Sequence, residues 1–327
     1  LLAIITQYFD ITQPHILSFS FFLYIIFAVT WQGSFVFYNS QLKSISAEDT
    51  NSKISGFGMG MGQLGNVIAL SVVAPLIGAS LIIFGLTGKS LALFLGAILF
   101  VIFGYAYLSQ KELVIPVTSL RFSYKEYLRK IFLQKKIFYY LIGYALLSDG
   151  ILTFQIYLTI YMKKVFVLSE TMVTYVGIVG LVACIIGGLL AQYLVKLFRS
   201  KQLTAIFASV IYAIAFILFC FAPVSTIIPF IIMIPSGIAY GLLFTICRVI
   251  YADMTPKEEQ AEYFSIYTIF ERSASIVGPL LWILSFKAMV SFGEDVQYRS
   301  AVFMLAVICF IGVYFFRKSF RTSVPLV

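Results

Sequence analysis

Three ionisable residues, Asp149, Glu271 and Arg272, fall deep inside long apolar stretches of this sequence. An unpaired charge at hydrocarbon depth costs on the order of several kcal/mol, so such groups persist where they pair, bind a solute or carry protons. Either carboxylate, Asp149 or Glu271, suits a protonatable coupling site, and the Arg272 guanidinium suits anchoring of a substrate carboxylate. The competing reading for each is a buried ion pair that fixes helix packing. Successive residues on a helix point about 100° apart, so Glu271 and Arg272 need not pair with each other, and Asp149 is an alternative partner for either. Arg248 lies near one end of its apolar run, with Asp253 and Glu262 close in sequence. That trio reads as a gate or a structural clamp rather than a substrate contact.

A second group of residues concerns packing. The stretch GFGMGMGQLG sets Gly56 with Gly60, and Gly58 with Gly62, four residues apart, and continues to Gly65. Small residues at that spacing let two membrane helices approach closely. Gln63 and Asn66 add polar groups at the same end, either packed or lining a polar cavity; Gln32, Asn39 and Gln155 carry the same two readings. Cys184, Cys220, Cys247 and Cys309 each sit inside an apolar run with no short-spaced pair, which indicates small buried side chains rather than disulfides or a metal site. His15, the sole histidine, falls at the edge of a run. No GxxxxGK[ST], HExxH or paired-Cys motif is present, so no cofactor, metal or enzymatic activity is expected.

The elements that carry these residues follow from composition. Apolar residues make up 61% of the chain and charged ones 11%, with a mean hydropathy of +0.99. Soluble domains carry about a quarter charged residues, so most of this surface faces lipid. The formal charge of +9 is spread over short clusters between apolar runs, which fits loops at an anionic leaflet and not a nucleic-acid groove. Runs long enough to cross a bilayer lie near 16–40, 54–84, 89–109, 137–162, 169–195, 202–222, 224–252, 261–286 and 298–316. The opening Leu1–Phe9 reads as the tail of an earlier span rather than a signal peptide. Pro75, Pro229, Pro235 and Pro279 fall inside runs and predict bent helices.

Ser109–Lys136 is a long polar connection dividing the chain. Taking it as cytoplasmic gathers Lys111, Arg121, Lys125, Arg129, Lys130, Lys135 and Lys136 inside, and the alternation adds Lys43, Lys53, Lys196, Arg199, Lys201, Lys257, Arg317, Lys318 and Arg321. Lys89, Lys163, Lys164, Lys287 and Arg299 fall outside. That bias obeys the positive-inside rule and makes the C-terminus cytoplasmic. Six spans follow the connection and three plus a stub precede it, the count expected of a six-plus-six architecture lacking its first spans. The expected organisation is an incomplete N-terminal bundle over 1–110, a linker over 111–136 and a six-helix bundle over 137–327.

Three stretches carry a resemblance. SGFGMGMGQLGN at 55–66 follows the FYN of Phe37–Asn39; LLSDGILTF occupies 146–154; CRVIYADMTPKEEQAEYFSIYTIFERSASIVGPLL occupies 247–281. In order and spacing they resemble the vacuole effluxer, autophagy-related branch of the major facilitator superfamily. The resemblance implies an all-α polytopic membrane protein with twelve spans when complete. It marks Asp149, Arg248, Glu262, Arg272 and the glycines Gly56, Gly58, Gly62 and Gly65 as pattern positions. Departures are Ser148 where Asn is usual, Gln63 and Asn66 in place of less polar residues, and Glu271 at a usual Gly. GLLAQYLVKLFRSK at 188–201 resembles a degraded copy of the superfamily's basic loop motif, with Gln192 replacing its acid. The implied function is secondary transport of a small polar solute, amino acids first, by alternating access and with protons as the coupling ion. The competing class is a non-transporting membrane scaffold or decayed transporter. A monomer in the lipid bilayer of the cell membrane is expected, or of a vacuole if the source is eukaryotic.

Overall fold

Within hydrocarbon every backbone donor and acceptor must be satisfied inside the segment, so apolar runs of this length have the helix as their solution. The computed structural model describes residues 13–47, 49–78, 82–108 and 124–321, together with Ile5, Tyr8 and Phe9. Among them, nine helices of 21 to 31 residues coincide with the nine expected runs. These are α1 (Pro14–Ser40), α2 (Asn51–Gly78), α3 (Gly88–Leu108), α5 (Lys135–Val165), α6 (Glu170–Phe198), α7 (Lys201–Phe221), α8 (Ile228–Met254), α9 (Gln260–Ala288) and α10 (Glu294–Arg321), with the shorter α4 (Tyr124–Leu133) between α3 and α5. Seven of the described helices are long and apolar enough to cross a membrane. The opening stub, apart from Ile5, Tyr8 and Phe9, lies outside the described residues, as do Lys111 and Arg121.

Three expectations are corrected. The run at 54–84 is not helical to its end, because Ile83 pairs with Leu86 across a tight turn in which Phe84 and Gly85 take φ of 53° and 74°. The connection at 109–136 contains helix α4, and α5 already starts at Lys135. Pro229 lies in the first turn of α8 and not inside it. A first-turn proline lacks only a donor that has no helical acceptor there, so Pro235 is the proline inside α8.

The chain forms two compact units: Leu1–Phe35 with Gly65–Thr118, and Val36–Leu64 with Ser119–Val327. In the first, Trp31 packs against Phe100 at 5.8 Å, and Leu86 and Leu91 are buried. In the second, α5 packs along α10 and α6 along α8, with α7 against α8 and α10 and α9 against α5 and α10. Glycine permits the closest crossing: a Cβ on Gly241 of α8 would lie 2.0 Å from the Cys184 carbonyl oxygen of α6. Buried tyrosines tie helices through their hydroxyls, Tyr140 donating to the Cys247 carbonyl at 2.6 Å and Tyr161 to that of Phe219 at 2.8 Å. All four cysteines are free and buried.

Candidate functional site

Glu271 and Arg272 lie on α9 and pair with each other, Arg272 Nη2 donating to Glu271 Oε1 at 2.8 Å. The angular separation of neighbours on a helix is bridged by the length of the arginine side chain. The other Glu271 oxygen accepts from the Tyr144 hydroxyl of α5. The Glu271 side chain is 14% exposed and that of Arg272 39% exposed, so the bundle does not fully enclose this pair. Arg272 Nε is nevertheless buried and lacks a hydrogen-bond partner among the described residues.

Aromatic rings hold the pair in place. Tyr144 stacks on Tyr267 with ring centroids 4.3 Å apart and meets Phe244 of α8 edge-on at 5.9 Å. Tyr240, one turn before Phe244, packs on it at 4.8 Å, and Gln155 and Gln63 lie near its hydroxyl. Sequence reading named Gln63 and Gln155 but missed Tyr144, Tyr240 and Tyr267. Four-residue spacings such as Tyr140/Tyr144 and Tyr263/Tyr267 were the available signal, since they stack aromatic rings along one helix face.

Asp149 is apart from that cluster. It is 1% exposed, and its Oδ1 accepts the Gly278 backbone N–H of α9 at 2.8 Å and faces the Thr153 hydroxyl at 3.4 Å. Its Oδ2 is buried without a hydrogen-bond partner among the described residues. Gly278 follows Glu271 by seven residues, about 10 Å along the axis, so Asp149 engages α9 two turns beyond the ion pair. The contact falls immediately before Pro279, which cannot donate to the carbonyl four residues earlier. Gly278 is required there: a Cβ would lie 2.0 Å from Thr153 Oγ1 and 2.4 Å from Asp149 Oδ1.

A third set gathers at one end of the spans. Asp253 accepts from Lys201 at 2.6 Å and from Asn51 at 3.4 Å, rather than pairing with Arg248. Five residues on a helix amount to about 140° of rotation, so Arg248 and Asp253 leave α8 on different faces. Arg248 lies over the Tyr38 ring at 5.1 Å. Glu262 sits in the first turn of α9, where a carboxylate suits the helix dipole. Lys43 donates to the Thr255 carbonyl at 2.7 Å, Ser55 to that of Thr245 at 3.1 Å and Gln192 to that of Asp49 at 2.8 Å. The glycines divide: Gly56 and Gly60 face α6, a Cβ on Gly56 falling 2.1 Å from the Gly188 oxygen. Gly58 instead meets the Tyr38 hydroxyl, and Gly62 and Gly65 have open space. Asn66 lies on an exposed face of α2, while Gln32 Oε1 and Asn39 Oδ1 are buried without hydrogen-bond partners.

Comparison with known proteins adds to this geometry. A family model described as Major Facilitator Superfamily matches residues 2–279 and, in a second match, residues 186–326. An uncharacterized MFS-type transporter of Bacillus subtilis, YxiO, is 23% identical over 305 residues, 89% of this chain and 68% of that protein. Autophagy-related protein 22 of Candida glabrata is 25% identical over 179 residues, 51% of this chain and 33% of that protein. Its counterpart from Yarrowia lipolytica is 23% identical over 155 residues, 45% and 26% of the respective chains. The crystal structure of a bacterial homologue of the iron transporter ferroportin in an outward-facing state superposes with a TM-score of 0.64 at 19% identity, over 85% of this chain and 66% of that one. The last likeness is one of fold. The chain therefore spans only part of the length of each of these proteins.

Proposed function

The chain belongs to the Major Facilitator Superfamily, and from that premise we propose that the protein is a secondary active transporter of a small polar solute. Amino acids are the leading substrate class, protons the coupling ion and the cell membrane the location. The observation that carries this reading is the Glu271–Arg272 pair, held by Tyr144 and only partly buried by the bundle. An ion pair between neighbours offers one acceptor and one donor of opposite charge side by side. A zwitterionic solute can exchange partners with it, its ammonium replacing Arg272 at Glu271 and its carboxylate replacing Glu271 at Arg272. The orphaned Arg272 Nε is a further donor for such a carboxylate.

Asp149 supports the coupling half of the proposal. It is a protonatable group in the bundle core, bonded to the α9 backbone at Gly278, the residue before Pro279 inside that helix. Changing its charge changes the strength of a charge-assisted hydrogen bond between α5 and α9, and so biases how the two helices sit. The contacts of Lys43, Asn51, Arg248 and Asp253 close the cytoplasmic ends as a gate on this reading. The test is uptake of labelled amino acids by the purified protein in liposomes under an imposed pH gradient. Gradient-dependent uptake is expected; absence of uptake for every amino acid, from protein shown to be folded, would remove the substrate assignment.

A further inference from the structure

Helix α4 separates its residues more sharply than any span. Turning the sequence at about 100° per residue gathers Tyr124, Tyr127, Leu128 and Ile131 on one side, with Phe132 at its edge, then Lys125 and Arg129 in turn. The packing follows that division: Ile131 is 1% exposed in the bundle core and Leu128 packs partly against it. Phe132 and Leu133 remain 54% and 72% exposed, next to the exposed Arg129. The helix is joined to α5 by a tight turn, with Phe132 against Phe138 at 5.1 Å and the Gln134 N–H donating to the Ile131 carbonyl at 3.1 Å.

Further cations adjoin it. Lys135 and Lys136 open α5, whose first turn has no acidic residue. The end of α10 docks beside them, the Ser319 hydroxyl donating to the Lys136 carbonyl at 2.8 Å and Lys318 lying 4.3 Å from the Tyr139 ring centroid. That places Arg317 and Arg321 at the same end of the bundle, and both are exposed. Among the described residues, Arg129, Lys135, Lys136, Arg317 and Arg321 enter no ion pair. The stretch from Tyr124 to Lys136 carries one acid, Glu126, against five cations.

We propose that α4, with the adjoining ends of α5 and α10, is a surface that binds the headgroups of anionic phospholipids in the cytoplasmic leaflet. Phe132 and Leu133 enter the acyl boundary while Arg129, Lys135 and Lys136 meet phosphate oxygens. Charge complementarity selects this occupant: the leaflet is anionic, the cluster is cationic, and exposed apolar groups stand beside the cations at interfacial depth. A phosphate free in solution would satisfy the cations and leave the two apolar side chains in water.

The experiment is native mass spectrometry of the detergent-solubilised protein with equimolar dioleoyl phosphatidylglycerol and dioleoyl phosphatidylcholine. Each surface cation contributes about fivefold to anionic-lipid affinity, so phosphatidylglycerol is expected to be retained at least about tenfold over phosphatidylcholine. The triple variant Arg129→Gln, Lys135→Gln, Lys136→Gln brings the ratio to within about twofold of unity, while Lys163→Gln with Lys164→Gln leaves it unchanged. Phe132→Ser with Leu133→Ser, which keeps the charges, lowers retention of both lipids. Equal retention of the two lipids by the wild type, equal losses in the triple and control variants, or displacement of bound phosphatidylglycerol by inorganic phosphate would each overturn the proposal.

Discussion

Replacing Gly278 by Ala asks whether the contact between α9 and Asp149 is as close as the structure makes it. The added Cβ would lie 2.0 Å from Thr153 Oγ1, 2.4 Å from Asp149 Oδ1 and 2.8 Å from Asp149 Cγ. Ordinary contact for such atoms begins near about 3.4 Å, so α9 must withdraw by about 1 Å. The 2.8 Å bond from the Gly278 N–H to Asp149 then lengthens past hydrogen-bonding range. Asp149 Oδ2 has no partner to begin with, so the carboxyl is left with the weak Thr153 contact alone. Overpacking costs about 1–3 kcal/mol, and a lost bond to a charged group about 1.5–3 kcal/mol. Alanine returns about 0.5–1 kcal/mol through helix propensity. Bonds between membrane helices fall at the low end of such ranges, so a net loss of about 2–4 kcal/mol is expected.

The assay is thermal unfolding of the purified variant in detergent, run beside Gly62→Ala, whose Cβ meets nothing within 4 Å. Gly278→Ala should unfold at a distinctly lower temperature and Gly62→Ala at the wild-type temperature or slightly above. Adding Thr153→Ala to Gly278→Ala should restore part of the loss, because it removes the 2.0 Å contact and leaves the one to Asp149. If Gly278→Ala unfolds with the wild type, the two helices do not approach as described and the link from Asp149 to α9 falls.

Asp149→Asn keeps an oxygen for the Gly278 N–H but removes the titrating charge; unfolding temperature should fall less than in Gly278→Ala, solute exchange in liposomes should persist, and uptake driven by a pH gradient should be lost. Gly56→Ala drives a Cβ to 2.1 Å from the Gly188 carbonyl oxygen, a backbone atom that cannot turn aside. The α2–α6 seam should open, read as faster labelling of a cysteine at the buried Ser52 by a membrane-impermeant thiol reagent from the cytoplasmic side. Asp253→Asn removes the partner of Lys201 in a pair whose side chains are 24% and 30% exposed. Its stability cost should stay below about 1 kcal/mol, yet the same Ser52→Cys label should react faster, since Asn51 and Lys201 both lose a charged acceptor.

Spans were legible because a twenty-residue apolar run has a single backbone solution in lipid. Their ends were less so: hydropathy continues through Phe84, although the chain turns at Phe84 and Gly85. Helix α4 went unseen because ten residues of alternating cations and aromatics read as a polar loop unless their angular arrangement is followed. Depth marked Asp149, Glu271 and Arg272 as residues worth attention, and their chemistry is visible in their types. Their partners were not, for two physical reasons. The acceptor geometry of Asp149 depends on a backbone N–H of another helix, which no side-chain pattern records. Glu271 and Arg272 diverge at the Cβ, and only the reach of the guanidinium closes the gap. The glycine stretch was read as one surface, whereas the helix turns Gly56 and Gly60 toward α6 and leaves Gly62 and Gly65 in open space.

The claim at the centre of this account is that solute is held at Glu271 and Arg272. The direct measurement is uptake of labelled amino acids into liposomes by wild type, Glu271→Gln, Arg272→Gln and the double variant, each checked for unaltered unfolding temperature. Each single variant strands one charge in the bundle, and the double variant leaves a neutral pair of similar shape. Uptake should fall at least about tenfold in all three, since each removes a charge-assisted contact of about 1.5–3 kcal/mol to the solute. Wild-type uptake by the double variant would show that the solute is held elsewhere, and that the pair serves only to pack α9 against α5.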